Sequence, residues 1–213
     1  MNVMKRIIAL SIILLLTSQV FAQLFVGGNI GLSMTGGKVD NGNTSVDKQK
    51  VTSFAFAPMA GMFLNDKLAV GTSLSFNLNN TKTPGNPEQI DRTTSFGVTP
   101  FVRYYAFTVN KFSLFAQANV GFAYSVEKSK VGSTTTTGPK TSTLSINASP
   151  GIAYNLSEKV QLEAHINGFN FGYSRISVKD NNNTDITNSF GLGVDLDNIA
   201  TSGFITIGAI VKL

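Results

Sequence analysis

Hydrophobic and polar residues alternate along most of this chain. From Leu68 to Asn79, every second position starting at Leu68 is apolar except Thr72, and the positions between hold only Ala, Gly, Ser and Asn. A period of two predicts a β-strand with one apolar and one polar face. The pattern recurs and predicts eight strands, with no helix after residue 22: about Phe25–Thr35, Val51–Phe63, Leu68–Asn79, Thr93–Ala106, Phe112–Ser125, Leu144–Asn155, Val160–Tyr173 and Gly203–Leu213.

The polar face of these strands is nearly free of charge. It holds small residues, chiefly Gly, Ser, Ala and Asn, and its ionisable side chains are Arg103, Glu163, Lys212 and the single histidine, His165. In a soluble sheet this face meets water and usually carries Lys and Glu, whereas small uncharged residues suit the narrow interior of an eight-stranded barrel. The apolar face then turns outward to lipid. The sequence therefore predicts an all-β fold, an eight-stranded antiparallel up-and-down transmembrane β-barrel.

The connections alternate between short and long. Short turns are predicted at Leu64–Lys67, Phe107–Lys111 and Leu156–Lys159, and long polar loops at Gly36–Lys50, Asn79–Arg92, Glu127–Thr141 and Ser174–Ser202. Bacterial outer-membrane barrels have short periplasmic turns and long extracellular loops. The alternation predicts that both termini are periplasmic and that the loops, especially the fourth, face outward.

The first 22 residues have the pattern of a secretory signal peptide. Lys5 and Arg6 precede the apolar run Ile7–Leu16, and Val20-Phe21-Ala22 places small residues at the cleavage positions. The run is too short to span a bilayer as a helix. We predict cleavage between Ala22 and Gln23, which divides the chain into a signal peptide (1–22) and a barrel domain (23–213). Its removal takes two of the 17 basic residues and none of the 12 acidic ones, so the net charge falls from +5 to +3.

Composition supports export and excludes several classes of protein. Charged residues make up 14% of the chain, and a mean hydropathy of +0.12 is the average of two opposed strand faces. Cysteine is absent, which excludes disulfides, thiolate chemistry and a lipoprotein anchor. Sixteen Phe and five Tyr exclude a charge-driven disordered chain. The aromatic residues cluster where strands end, as interfacial girdles do; a nucleic-acid stacking surface would need a basic groove beside them, so no nucleic acid is predicted.

Three prolines occupy equivalent positions. Pro58, Pro100 and Pro150 each lie on an apolar face, and each is seven positions before a residue at the start of a short turn, namely Asn65, Phe107 and Ser157. Proline inside a paired strand removes a ladder hydrogen bond and normally marks a bulge. The common offset predicts a shared bulge in the second, fourth and sixth strands.

Several segments resemble a known family. Ala57–Gly71, Thr99–Tyr105 and Leu114–Gly121 are similar to the small outer-membrane β-barrels common in Bacteroidota, often labelled porin-like and similar in plan to OmpA/OmpX-type barrels. The resemblance implies a Gram-negative outer-membrane location, and contacts with outer-membrane lipid, lipopolysaccharide and the outer-membrane assembly machinery. Two features depart from it: the chain ends in Leu213 where such barrels usually end in an aromatic residue, and the peptidoglycan-binding domain of full OmpA-type proteins is missing.

The ionisable residues of the polar face predict one cluster. Arg103 lies shortly before the second short turn and Glu163 shortly after the third, so both point into the lumen at similar heights, with Lys212 on the neighbouring strand and His165 beside Glu163. Paired charges in a narrow lumen stabilise one another, and we interpret this cluster as structural rather than as a gate.

No catalytic, cofactor-binding or metal site is predicted. Some small barrels are enzymes, but His165 has no GxSxG nucleophile elbow to serve. Asp195 and Asp197, or Asp180–Asp185, lack the glycine and terminal glutamate of a calcium loop. The glycine pairs at Gly27-Gly28 and Gly36-Gly37 lack the strand–helix context of nucleotide binding.

The function predicted from the sequence is structural or one of surface interaction, with contacts to an unknown extracellular partner made by the long loops. A narrow porin-like channel for ions or very small solutes is the first alternative, and a soluble periplasmic lipocalin-like barrel the second.

Overall fold

The computed structural model describes residues 23–40, 42, 44–166, 169–180, 183–194 and 205–213. Within these ranges the regular structure is entirely β-strand, and no helix is long and apolar enough to cross a membrane. The predicted signal peptide, Asp195 and Asp197 lie outside the described residues. The strands are β1 (Gln23–Thr35), β2 (Lys38–Asp40), β3 (Ser45–Asp47), β4 (Lys50–Asn65), β5 (Leu68–Thr83), β6 (Gln89–Val109), β7 (Phe112–Val131), β8 (Thr134–Asn155), β9 (Val160–Ile166), β10 (Phe169–Asp180), β11 (Asn183–Val194) and β12 (Ile205–Lys212).

The strands form a closed antiparallel ring. β1, β4, β5, β6, β7 and β8 pair in that order, and β2 and β3 form a separate small hairpin. β8 then pairs with both β9 and β10, which are two parts of the seventh barrel strand. The eighth barrel strand also has two parts: β11, which pairs with β10, and β12, which pairs with β9. β12 pairs with β1 from Phe25↔Lys212 to Gly28↔Ala209 and closes the ring. The predicted eight-stranded barrel is confirmed.

The two barrel faces are inverted relative to a soluble protein. Exposed large apolar side chains cover the outer face, among them Val26, Ile30, Leu74, Val102, Leu114, Ile146, Ile152 and Ile207. The buried residues, including Phe25, Phe101, Tyr105, Phe115 and Ile210, alternate with them and point inward. The lipid-facing exterior predicted from the alternation is present.

The short turns match the prediction, but most of the long loops do not. Asp66–Lys67, Asn110–Lys111 and 156–159 connect strands at one end of the barrel. At the other end, β5 to β8 run well into the segments predicted as the second and third loops, and β10 and β11 occupy most of the fourth. β7 and β8 are joined by Gly132–Ser133 alone, with Gly132 at a φ of 60° in the position a type II′ turn requires. These polar segments are rich in Thr, which is enriched in strands, and backbone pairing continues through them.

The prolines interrupt the strand ladders without adding residues. Pairing between β4 and β5 is absent at Ala57 and Pro58, and pairing between β6 and β7 is absent at Thr99 and Pro100, yet the register is the same on both sides of each gap. At Pro150 the partner of β8 changes from β10 to β9. The predicted bulges at Pro58 and Pro100 are therefore wrong: a missing N–H removes a ladder bond but inserts no extra residue. In these two ladders, shifts in register lie nearer the short turns, at Phe63/Asn65 and Tyr105/Phe107.

Aromatic rings fill the lower half of the lumen, toward the short turns. Phe25, Phe101 and Phe115 are each paired directly across the sheet with a glycine, namely Gly61, Gly71 and Gly151. A Cβ atom at Gly71 would lie 2.6 Å from Cζ of Phe101, so the ring occupies the space that a side chain would take. Glycine at these positions allows each ring to lie against the barrel wall.

Candidate functional site

A buried ion pair joins two strands across the lumen. Arg103 on β6 and Glu163 on β9 are separated by β7 and β8, and both side chains are 0% exposed. The guanidinium donates to both carboxylate oxygens: Nη1 to Oε1, and Nη2 to Oε2 at 3.0 Å. This two-pronged geometry is the strongest form of the arginine–carboxylate contact, and it links two strands that are not neighbours in the ring.

The remaining donors of Arg103 are also used. Nε and Nη2 donate to Oε1 of Gln117 at 2.9 and 2.7 Å, and Nη1 donates to the hydroxyl of Tyr105 at 3.2 Å. The guanidinium carbon lies 4.5 Å from the ring centroid of Phe115 and 5.4 Å from that of Phe101. A buried charge is tolerated only when it is paired and hydrogen-bonded, and Arg103 meets both conditions.

The other two residues of the predicted cluster are placed differently. Nε2 of His165 lies 3.6 Å from Oε2 of Glu163, and its ring meets Phe115 edge-on at 5.1 Å. Lys212 instead lies over the ring of Phe63, 5.3 Å from its centroid. Glu163 is paired on β12 with Gly208, four residues from Lys212, about 13 Å along the strand. The structure therefore brings Arg103, Glu163 and His165 together and places Lys212 nearer the short-turn end.

Above the ion pair the lumen widens into a polar cavity of about 510 Å³. Its lining is polar and almost uncharged, with Asn29, Ser73, Thr99, Ser145 and His165 among the contributors. Below it, Phe101 and the Arg103–Glu163 pair form a floor, whereas inward residues nearer the top, such as Asn77 and Asn79, are exposed. The cavity is a cup that opens toward the end opposite the short turns.

A line of amide side chains crosses the wall of this cup. Nε2 of Gln117 donates to Oδ1 of Asn119 at 2.7 Å, and Nδ2 of Asn119 donates to Oδ1 of Asn147 at 2.8 Å. Sequence reasoning did not single these residues out. Their inward positions on adjacent strands are the signal that could have found them, once the register between β7 and β8 is known.

The comparisons with known proteins identify the family. A family model described as "Outer membrane protein beta-barrel domain" matches residues 8–197. The chain belongs to this family. It is therefore an outer-membrane protein, and the soluble lipocalin-like alternative is wrong, since the exposed apolar exterior belongs against lipid. The origin in Bacteroidota stays a prediction.

Solved structures of outer-membrane barrels are similar over most of the chain. Neisserial surface protein A is 15% identical with a TM-score of 0.41, covering 89% of this chain and 97% of its own. Ail, the attachment invasion locus protein of Yersinia pestis, is 11% identical (TM-score 0.45; 90% and 99% covered), and OprG from Pseudomonas aeruginosa is 13% identical (TM-score 0.47; 90% and 96%). No curated protein matches the sequence.

Placed in its membrane, the barrel carries aromatic rings toward both ends of its outer face. Phe112 and Tyr154 contact each other at 4.7 Å near the short turns, and Phe76 and Phe96 at 4.9 Å toward the opposite end. Such rings sit at the two interfaces of an outer-membrane barrel. The Arg103–Glu163 pair lies inside the membrane-spanning part, shielded from lipid by the wall.

In the described ranges, no group of three or more His, Cys, Asp or Glu side chains is arranged to hold a metal ion. Arg103 and Glu163 satisfy each other and have no exposed surface through which to meet a substrate.

Proposed function

We propose that this protein is a closed outer-membrane barrel with a structural and surface-interaction role, and that it is not an enzyme. The observation that carries the proposal is the filled lumen. The Arg103–Glu163 pair and the buried rings of Phe25, Tyr105 and Phe115 occupy the lower half of the lumen, so they block an aqueous path through the barrel.

The surface role rests on the strands that continue past the membrane. β7 and β8 extend to Val131 and Thr134, and their tip is exposed. A paired hairpin holds its side chains in fixed positions. It therefore loses less conformational entropy on binding a partner than a loose loop does, which favours recognition. The contacts with an extracellular partner are therefore assigned to projecting hairpins rather than to long loops.

Assembly follows the usual route for such barrels in this proposal. The last strand, β12, presents Ile207, Val211 and Leu213 on its exposed outer face. This alternating apolar face of β12 is what the outer-membrane assembly machinery would meet.

Conductance in planar bilayers tests the closed lumen. The wild-type barrel is expected to show no stable single-channel steps, because its floor has no opening for hydrated ions. Phe101→Ala in the floor is expected to raise the frequency of brief openings, and Phe96→Ala on the outer face serves as its control. A stable conductance in the wild type would overturn the proposal in favour of the narrow channel.

Complementation of a deletion strain tests the surface role. In one variant an Asn-Gly turn replaces residues 129–136, which joins the paired residues Lys128 and Thr137 directly. Envelope permeability is expected to recover with both the wild type and this variant, while attachment to external surfaces is expected to recover only with the wild type. Equal recovery of both properties would remove the hairpin from the proposed role.

A further inference from the structure

Charges on the upper strands are sorted by face. On the outward positions of the barrel strands β4 to β8, β10 and β11, above the apolar belt, all the charged residues are basic, and we call this set the basic belt: Lys50, Lys82, Arg92, Lys128, Lys130, Lys140, Arg175 and Lys179. The acidic residues of the same strands alternate with them and face inward: Asp91, Glu127, Asp180 and Asp185. Every member of the basic belt is exposed.

The basic belt keeps one height around much of the barrel. On five consecutive strands a basic residue lies four positions beyond an outward aromatic residue or leucine: Lys50 and Phe54, Lys82 and Leu78, Arg92 and Phe96, Lys128 and Tyr124, Lys140 and Leu144. The positions between them on this face are uncharged. Four residues of strand span about 13 Å, so the cations stand just above the aromatic girdle, where the polar groups of lipids lie.

Three pairs in the basic belt bring like charges directly opposite each other. Lys50 is paired with Lys82, Arg92 with Lys128, and Lys140 with Lys179. Like charges in this arrangement destabilise a sheet. Lys82 has a partner in Glu88 at 2.6 Å, but among the described residues no acidic side chain forms an ion pair with the other five. An external anion would relieve this repulsion.

An apolar groove lies directly below the basic belt. This groove, of about 510 Å³, is lined by outward side chains of β4 to β7, including Phe56, Leu74, Phe96, Phe122 and Tyr124. Pro58 lies in it, beside the gap in the β4–β5 ladder. Arg92 and Lys128 stand above Phe96 and Tyr124 on the same two strands. Cations above an apolar groove match a molecule with an anionic head and a hydrocarbon tail.

We propose that the basic belt and this groove form a binding site for a phosphorylated lipid of the outer leaflet. The phosphate groups are held by Arg92, Lys128 and Lys140, and an acyl chain lies in the groove. Arginine and lysine are the usual phosphate-binding side chains, and basic residues beside a membrane each contribute to the attraction of anionic lipid. The site depends on outer-membrane location and on an orientation in which the hairpins opposite the short turns face outward, and not on whether the lumen conducts.

Lipid titration tests the site. The folded barrel in neutral detergent is titrated with bisphosphorylated lipid A, and separately with the same lipid after removal of its phosphates. Binding is measured by native mass spectrometry. Wild-type protein is expected to prefer the phosphorylated lipid. The triple variant Arg92→Gln, Lys128→Gln, Lys140→Gln is expected to lose about fivefold in affinity per cation, or about a hundredfold in all.

A matched control removes the same charge elsewhere. Lys67→Gln, Lys111→Gln, Lys159→Gln changes three lysines at the short-turn end and is expected to keep wild-type affinity. The heat-dependent shift in gel mobility verifies that both variants fold. Equal binding of the two lipids by the wild type, or an equal loss in both variants, would overturn the proposal. Displacement by millimolar inorganic phosphate would also overturn it, since the site would then bind free anions rather than lipid.

Discussion

Arg103 and Glu163 meet across the lumen with no exposed surface, so each supplies the charge that the other requires. We expect Glu163→Gln to lower the free energy of unfolding. The uncharged amide leaves a buried guanidinium without its counter-charge, and breaking a buried pair in this way costs about 3–5 kcal/mol. Thermal unfolding in detergent, followed by circular dichroism, measures the loss.

The control for this substitution is Glu158→Gln. Glu158 lies exposed in the short turn between β8 and β9, and its loss is expected to leave the melting temperature unchanged. Equal melting of Glu163→Gln and the wild type would mean that the pair does not stabilise the barrel. Partial recovery in Arg103→Met, Glu163→Gln would show that the cost comes from the unpaired cation.

The face on which a side chain lies was predictable from the sequence, because strand alternation alone determines it. Arg103 and Glu163 face inward by parity, and their similar distances from the short turns place them at one height. Lys212 has the same parity, but its height depends on the register of β12 against β9, which pairs Gly208 with Glu163. The hydrogen bonds between Gln117 and Arg103 likewise depend on the register of β7 against β6, and periodicity carries no such information.

The pairing of β7 and β8 predicts how fast their backbone amides exchange hydrogen. Because β7 is paired to β6 and β8 up to Val131, amides of residues 128–131 are expected to exchange hydrogen slowly in the folded barrel. Gly85 and Asn86, in the connection between β5 and β6, serve as the internal control. We expect a difference in rate on the order of a hundredfold, measured by hydrogen-exchange mass spectrometry. Equal rates in the two segments would mean that residues 127–141 form a loop after all.

Strand existence followed from the sequence more reliably than strand ends did. The apolar alternation stops where the lipid stops, so segments such as Thr134–Thr137 looked like loops although backbone pairing continues through them. The apolar alternation depends on whether a strand face contacts lipid. Strand pairing depends instead on backbone hydrogen bonds, which polar residues make equally well. The prolines show the same limit. Their spacing indicated an equivalent position in three strands, but it did not indicate whether the strand register shifts there.

Across the whole molecule, three layers follow one another from the short turns upward. A floor of rings and one ion pair closes the lower lumen, a polar cup lies above it, and the basic belt surrounds the upper exterior. On the upper barrel strands the acidic residues face inward and the basic residues face outward. The low overall charge of the chain thus conceals a separation of charge by face and by height.

The alternation of short and long connections predicts the orientation in the membrane, and the absence of cysteine from the sequence makes that orientation directly measurable. Ser133 lies in the exposed turn between β7 and β8, and Asp66 in the exposed turn between β4 and β5 at the other end. On intact cells, Ser133→Cys is expected to react with a membrane-impermeant maleimide, because the long hairpins of such barrels face outward. Asp66→Cys is expected to react only after the outer membrane is permeabilised. Labelling in the reverse order would place the basic belt at the periplasmic leaflet and would exclude an outer-leaflet lipid as its ligand.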